Sequence, residues 1–159
     1  MSRPMALPEP GAVSPGRRII TWWVIGAARA LALLPPRRIR AVLAGVARRA
    51  RPASYAEAKS ARETVTAVSL LCAGRQGCLP RSIATVLLCR LRGAVPTWRV
   101  GVRTAPFSAH AWVEAEGQPV EEPAGTEHLR VLMTIQPSAT EVAKGRSPGA
   151  PGTPDRSPA

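Results

Sequence analysis

A cysteine and a histidine in this chain have the types and the spacing of a thiol nucleophile and its base. Cys78 stands at the start of a stretch with helical periodicity, and His110 follows it by 32 residues in the alternating segment Ser108–Glu114. A thiolate attacks carbonyl carbon well, and an imidazole exchanges protons near neutral pH. The pair therefore predicts acyl-transfer chemistry on a carbonyl substrate such as a peptide.

The helix that would carry Cys78 is predicted from the apolar positions that follow the cysteine. They recur at helical spacing, at Leu79, Ile83, Val86, Leu87 and Leu91. Pro80 suits the first turn and Gly93 ends the helix. Cys78 then lies at or next to the N-cap, where the positive end of the helix and nearby Arg81 should lower the pKa of its thiol.

A carboxylate that orients the imidazole is predicted from the strands after Gly93. Alternation predicts an antiparallel meander with strands at 97–103, 109–115, 118–122 and 129–134. A three-residue hairpin loop at 115–117 would place Glu122 directly opposite His110, whereas a two-residue loop at 116–117 would bring Glu121 to that face. Glu122 is therefore the predicted orienting residue and Glu121 its rival.

Three further helices are predicted before Cys78, at 19–34, 37–50 and 54–73, with Ser54 as an N-cap and Gly74 as a stop. Helices followed by a small antiparallel sheet predict an α+β fold. The apolar helix 19–34 follows two arginines, as an export signal would, but Arg29 interrupts it and it is too short to span a bilayer. We expect it to be buried or to face a partner, and membrane contact through 19–34 is the less favoured alternative.

The composition predicts one folded domain between two tails. Residues 17–135 form the predicted domain, with a helical part at 17–75 and the catalytic helix and sheet at 76–135. Residues 1–16 are predicted to be flexible, and the Pro/Gly/Ser-rich segment 136–159 to be a disordered C-terminal tail.

The charge and the cysteines limit the possible functions. The chain carries 22 Lys and Arg against 10 Asp and Glu, but it lacks zinc-finger spacing and base-stacking motifs, so nucleic-acid binding is not expected. Three cysteines without regular spacing predict neither a disulfide framework nor a metal site, and no cofactor is implied. Reduced thiols are typical of a cytoplasmic protein, which is the predicted location.

Two segments, CLPRSIATVLLCRLRG at 78–93 and WRVGVRTAPFSAHAWVEAEGQPV at 98–120, resemble the leader peptidases of lasso-peptide biosynthesis. These are small transglutaminase-like cysteine proteases, related to papain-like enzymes, that cleave the leader from a ribosomally made precursor peptide. The resemblance implies a transglutaminase/papain-like core with the nucleophile at a helix N-terminus. It also implies that Cys78 is the nucleophile and His110 the general base and acid. The family has an aspartate twelve residues after the histidine, where this chain has Glu122.

The predicted mechanism passes through a thioester, with the oxyanion bound by the backbone N–H of Cys78. The Gln76 side chain is a second candidate donor, although a solvated loop residue is the favoured interpretation. By resemblance, the lasso precursor is the substrate, a separate PqqD-like protein recognises the leader, and the lasso cyclase is a further candidate partner. A transglutaminase-type acyl transferase and a non-catalytic basic scaffold that binds nucleic acid are the alternative functions.

Overall fold

The computed structural model describes residues 14–74, 76–123 and 125–137, so most of the two predicted tails lies outside the described residues. Within these ranges the helices come first, and the main sheet follows them. The helices are α1 (Pro15–Ala32), α2 (Pro36–Ala47), α3 (Tyr55–Val68), α4 (Leu70–Ala73) and α5 (Cys78–Arg90). The strands are β1 (Arg51–Pro52), β2 (Ala94–Val95), β3 (Thr97–Thr104), β4 (Phe107–Ala115), β5 (Gln118–Pro119) and β6 (Arg130–Ile135). The predicted α+β fold is confirmed.

The main sheet has the antiparallel order β5-β4-β3-β6, which differs from the predicted meander. β6 pairs with β3, not with β5. β5 has only two residues and the chain bends directly after it, at 120–121, so it leaves the edge of β4 before a longer ladder forms. β1 and β2 form a separate two-residue parallel pair.

Helix α5 lies at the centre of the molecule. It packs against α1, α3 and β4. Eight of its thirteen residues are buried, including the polar side chains of Ser82 and Thr85. A helix that is surrounded by other elements in this way is held rigidly, which fixes the position of its first residue, Cys78.

The helix boundaries follow local capping signals. Ser54 forms a capping box with Glu57 at the start of α3, as the sequence predicts for the N-cap. The single predicted helix at 54–73 is instead two helices, because the side chain of Ser69 accepts a hydrogen bond from the Cys72 N–H and starts α4. No helix among the described residues is long and apolar enough to cross a membrane.

Candidate active site

Cys78 is the first residue of α5, and its side chain is partly exposed. Gly77 is the N-cap and is buried against the end of α4. A Cβ at Gly77 would collide with the carbonyl oxygen of Leu71 and lie 3.0 Å from the Cα of Cys72. Only glycine therefore allows α4 to sit this close to the start of α5, and this contact fixes where the thiol stands.

The imidazole of His110, on β4, lies close enough to the thiol of Cys78 for the two groups to shift each other's pKa. This contact is the main reason that the pKa of Cys78 is lowered, and the backbone N–H of Ala111 adds to the effect while burial opposes it. The pKa of His110 rises to about 9, first because of Cys78 and then because of Glu122. Both shifts favour a thiolate beside an imidazolium, the reactive form of a cysteine nucleophile.

Glu122 lies on the other side of the imidazole. Its Oε2 is 2.6 Å from Nε2 of His110, and its side chain is 2% exposed. Since Nε2 faces the carboxylate, Nδ1 is the ring nitrogen that can exchange a proton with the thiol. The carboxylate of Glu122 therefore contacts the imidazole as an orienting residue must, although its side chain is one methylene longer than the aspartate that the resemblance implies.

Glu121 points away from the imidazole. Its carboxylate is 2.8 Å from Nζ of Lys59 and accepts a hydrogen bond from the hydroxyl of Tyr55 at 3.4 Å. Both of these partners lie on α3, so Glu121 fastens the chain to that helix.

The hairpin register did not predict this outcome correctly. Ala115 pairs with Gln118 around a two-residue turn in which Glu116 and Gly117 both have positive φ, so the three-residue loop is wrong. The two-residue loop was expected to select Glu121, and that is also wrong. β5 ends at Pro119 and the chain bends at Glu121, which has a φ of 50°, so the regular register does not continue and Glu122 is the residue that contacts His110.

Two arginines hold the buried carboxylate of Glu122. Nη2 of Arg62 lies 3.4 Å from Oε1, and Nη2 of Arg81 lies 3.8 Å from Oε2. Arg81 also donates from Nη1 to the Cys72 carbonyl at 3.1 Å. The guanidinium groups compensate the charge of a carboxylate that water does not reach.

The sequence predicts no role for Arg62, and it places Arg81 only near the thiol at the start of α5. The signal for Arg62 was its position four residues after Ala58, on the buried side of α3. A guanidinium on such a face requires a counter-charge, but the sequence does not show that Glu122 supplies it.

The plane of the imidazole is set by a neighbouring aromatic ring. The ring of Trp112 stacks on His110 with 6.0 Å between centroids and 10° between planes, and its indole N–H donates to Glu114 at 2.9 Å. Gly101 pairs with His110 across the sheet, and a Cβ there would lie 3.0 Å from Cη2 of Trp112. The absence of a side chain at this position makes room for the stacked ring.

The first turn of α5 offers a place for an oxyanion. The backbone N–H of Cys78 is one of the first N–H groups of the helix, which have no acceptor within the helix. Gln76 is exposed in the preceding loop, where it lines an open cavity of about 470 Å³ together with Gly77 and Pro80. This exposure agrees with Gln76 as a solvated loop residue.

The other two cysteines differ from Cys78 in their surroundings. Cys72 and Cys89 are buried, as small apolar side chains often are. Burial raises the pKa of Cys89 to about 12. Near neutral pH, thiolate character therefore belongs to Cys78.

The family model of the transglutaminase-like superfamily matches residues 21–134. The chain belongs to the transglutaminase-like superfamily. The match includes the helices and the sheet that position the site, and this fold suits a cysteine protease or an acyltransferase. No curated protein and no solved structure shows a significant match to this member of the superfamily.

Proposed function

We propose that this chain is a cysteine peptidase that cleaves the leader from a ribosomally made lasso precursor peptide. The observation that carries the catalytic part is the position of His110 between the thiol of Cys78 and the buried carboxylate of Glu122. The choice of substrate rests on the motifs Cys-Leu-Pro-Arg-Ser at 78–82 and Ala-His-Ala-Trp-Val-Glu at 109–114.

The first half-reaction forms a thioester. The Cys78 thiolate attacks the carbonyl carbon of the peptide bond between leader and core, and the backbone N–H of Cys78 stabilises the oxyanion. The C–N bond then breaks as the imidazolium of His110 gives its proton to the departing amine. The leader remains attached to sulfur, and the core leaves with a free amino terminus.

The second half-reaction releases the leader. His110, now neutral, takes a proton from water as the water oxygen attacks the thioester carbonyl. Collapse of this intermediate returns the electron pair to sulfur and frees the leader as a carboxylic acid. Glu122 stabilises the imidazolium and keeps Nδ1 toward the sulfur in both halves.

The leader would be recognised by a separate PqqD-like protein. The resemblance to the lasso leader peptidases implies this partner, and residues 14–74, as far as they are described, form helices and one two-residue strand rather than the three-stranded sheet of a leader-recognition domain. The precursor and this recognition protein are therefore the components to combine with the chain in an assay, with the lasso cyclase as a further candidate partner.

The decisive experiment combines the chain with lasso precursor peptides, with and without the leader-recognition protein, and measures product masses. We expect leader and core to appear as separate peptides with a free leader carboxylate, and Cys78→Ala to abolish them. Cys89→Ala removes a buried thiol of the same helix and is the matched control.

Other results would support one of the alternative functions. A leader joined by an amide to an added amine would instead support the transglutaminase-type acyl transferase. Full cleavage by Cys78→Ala would exclude the thiol mechanism, and a Cys78 that alkylates no faster than a free thiol would favour a non-catalytic scaffold.

A further inference from the structure

The outward face of α1 is apolar along its whole length. The helix buries one narrow stripe against the core, formed by Thr21, Ile25 and Ala28. The opposite face is exposed, and its residues are Ile19, Trp22, Trp23, Gly26, Ala27, Ala30 and Leu33. Trp23 is 78% exposed and Leu33 is 88% exposed. A helix on the surface of a soluble domain normally places polar residues here, so this face is built to be covered.

The surroundings of this face are positively charged. Residues 14–56 contain nine arginines and no aspartate or glutamate, and the first turns of α1 and α2 contain no acidic residue. Arg17 and Arg18 precede the exposed tryptophans and Arg29 follows them about two turns later, all three with exposed side chains. A binding partner with both an apolar region and negative charge would complement the apolar face of α1 and the arginines around it.

We propose that the exposed face of α1 docks on an anionic lipid surface, with the helix lying in the plane of the interface. Tryptophan rings favour the boundary between lipid headgroups and acyl chains, and flanking arginines bind anionic headgroups. The aliphatic residues between them, such as Ile19 and Leu33, enter the acyl region. The helix is not one that could cross the membrane, which fits a surface position.

The exposed tryptophans of α1 are not part of the candidate active site. His110 lies on β4 and Glu122 follows β5, and α1 reaches the start of α5 through Arg29, which lines the cavity beside Gly77 and Pro80. Lipid binding through Trp22 and Trp23 therefore requires no contact with the imidazole. The proposal is independent of the peptidase function, because lipid binding needs neither the thiol nor a substrate.

The experiment measures co-sedimentation of the whole chain with vesicles. We expect binding to vesicles of phosphatidylglycerol and phosphatidylcholine, much weaker binding to phosphatidylcholine alone, and weaker binding as salt shortens the Debye length from about 10 Å to about 3 Å. The double substitution Trp22→Ala and Trp23→Ala should reduce binding about ten-fold or more, because it removes the two largest apolar contacts.

The matched control is Phe107→Ala. Phe107 is 77% exposed, nearly the same as Trp23, but it lies at the start of β4 and not on α1. We expect this variant to bind vesicles like the parent chain. Circular dichroism of each variant should be unchanged, since neither tryptophan contributes to the core.

Tryptophan fluorescence provides an internal test of orientation. The other two tryptophans, Trp98 and Trp112, are 1% and 2% exposed. Brominated phospholipid should quench the emission of the parent chain, whereas Trp22→Phe with Trp23→Phe should keep vesicle binding and lose the quenching.

Three results would overturn the proposal. One is that the chain does not co-sediment with anionic vesicles. Another is dimerisation through α1, seen by light scattering as a mass that halves in the double alanine variant. The third is a purely electrostatic result: DNA displaces the parent chain from the vesicles, and the double alanine variant binds the vesicles as tightly as the parent chain.

Discussion

Replacing Glu122 by glutamine should uncouple the thiol from the imidazole while keeping the shape of the site. Glutamine has nearly the volume of glutamate, but it has no charge to stabilise an imidazolium. The guanidinium groups of Arg62 and Arg81 would also lose their shared counter-charge and would repel a protonated His110. The thiolate of Cys78 would then lose the cation that favours it.

The size of the effect follows from the pKa of His110. Its rise from 6.5 to about 9 corresponds to about 3 kcal/mol in favour of the protonated ring. Cys78 is the largest cause of this rise and Glu122 the next. Each pKa unit is a factor of ten, so removing the second of these causes should lower the ratio of thiolate–imidazolium to neutral pair by on the order of ten-fold.

The assay is alkylation of the thiol by iodoacetamide, followed by intact mass, and it needs no substrate. Cys72 and Cys89 are buried, so the first alkyl group reports on Cys78. In the parent chain the alkylation rate should increase with pH, and the midpoint of this increase should lie below 9.0, the ordinary pKa of a cysteine thiol, because the pKa of Cys78 is lowered. A second change should follow near pH 9, where His110 loses its proton. In Glu122→Gln the first rise should move toward 9.0, with a rate at neutral pH about ten-fold lower.

Glu121→Gln is the control, since it makes the same chemical change at the neighbouring residue. The side-chain oxygen of glutamine can still accept hydrogen bonds from Lys59 and Tyr55, so this variant should keep the chain in place and leave the alkylation profile unchanged. The reasoning fails if Glu122→Gln keeps the parent profile, or if Glu121→Gln shifts it by the same amount.

Three further substitutions test the supports of the site. Gly77→Ala should slow alkylation of Cys78 at every pH and lower the midpoint of urea unfolding, because the new Cβ collides with α4; an unchanged protein would show that this contact is loose. Arg62→Met should cost about 1–3 kcal/mol in unfolding free energy and shift the alkylation profile, with Arg62→Lys recovering part of both; no shift would restrict Arg62 to a structural role. Trp98→Phe removes the indole N–H that donates to Ser82 Oγ at 3.0 Å, so it should cost about 1 kcal/mol in unfolding free energy but leave the pH profile intact.

Local signals in the sequence were sufficient to place the nucleophile. Pro80 and Gly93 mark the two ends of one helix, and the structure has Cys78 as its first residue and Gly93 with a φ of 79°. The capping box at Ser54 is equally local. Such features depend on hydrogen bonds within a few residues, so they can be read without knowing the fold.

The features that the sequence did not reveal are set by contacts between distant segments. β6 pairs with β3 because β5 is too short to offer an edge, and alternation alone does not show this. The direction of Glu122 depends on the positive φ of Glu121, a conformation that a non-glycine residue adopts when its surroundings hold it. Arg62 meets Glu122 across 60 residues of chain, which no local pattern indicates.

Helix α3 holds the segment that carries Glu122, although the nucleophile lies on another helix. Tyr55 and Lys59 of α3 contact Glu121, and Arg62 of α3 contacts the carboxylate of Glu122. Subglobal opening of this one helix would release the carboxylate while α5 and the β3–β4 hairpin stayed folded. Thiol alkylation and amide hydrogen exchange of α3 would then report the same native-state opening, and the reactivity of Cys78 would measure local stability.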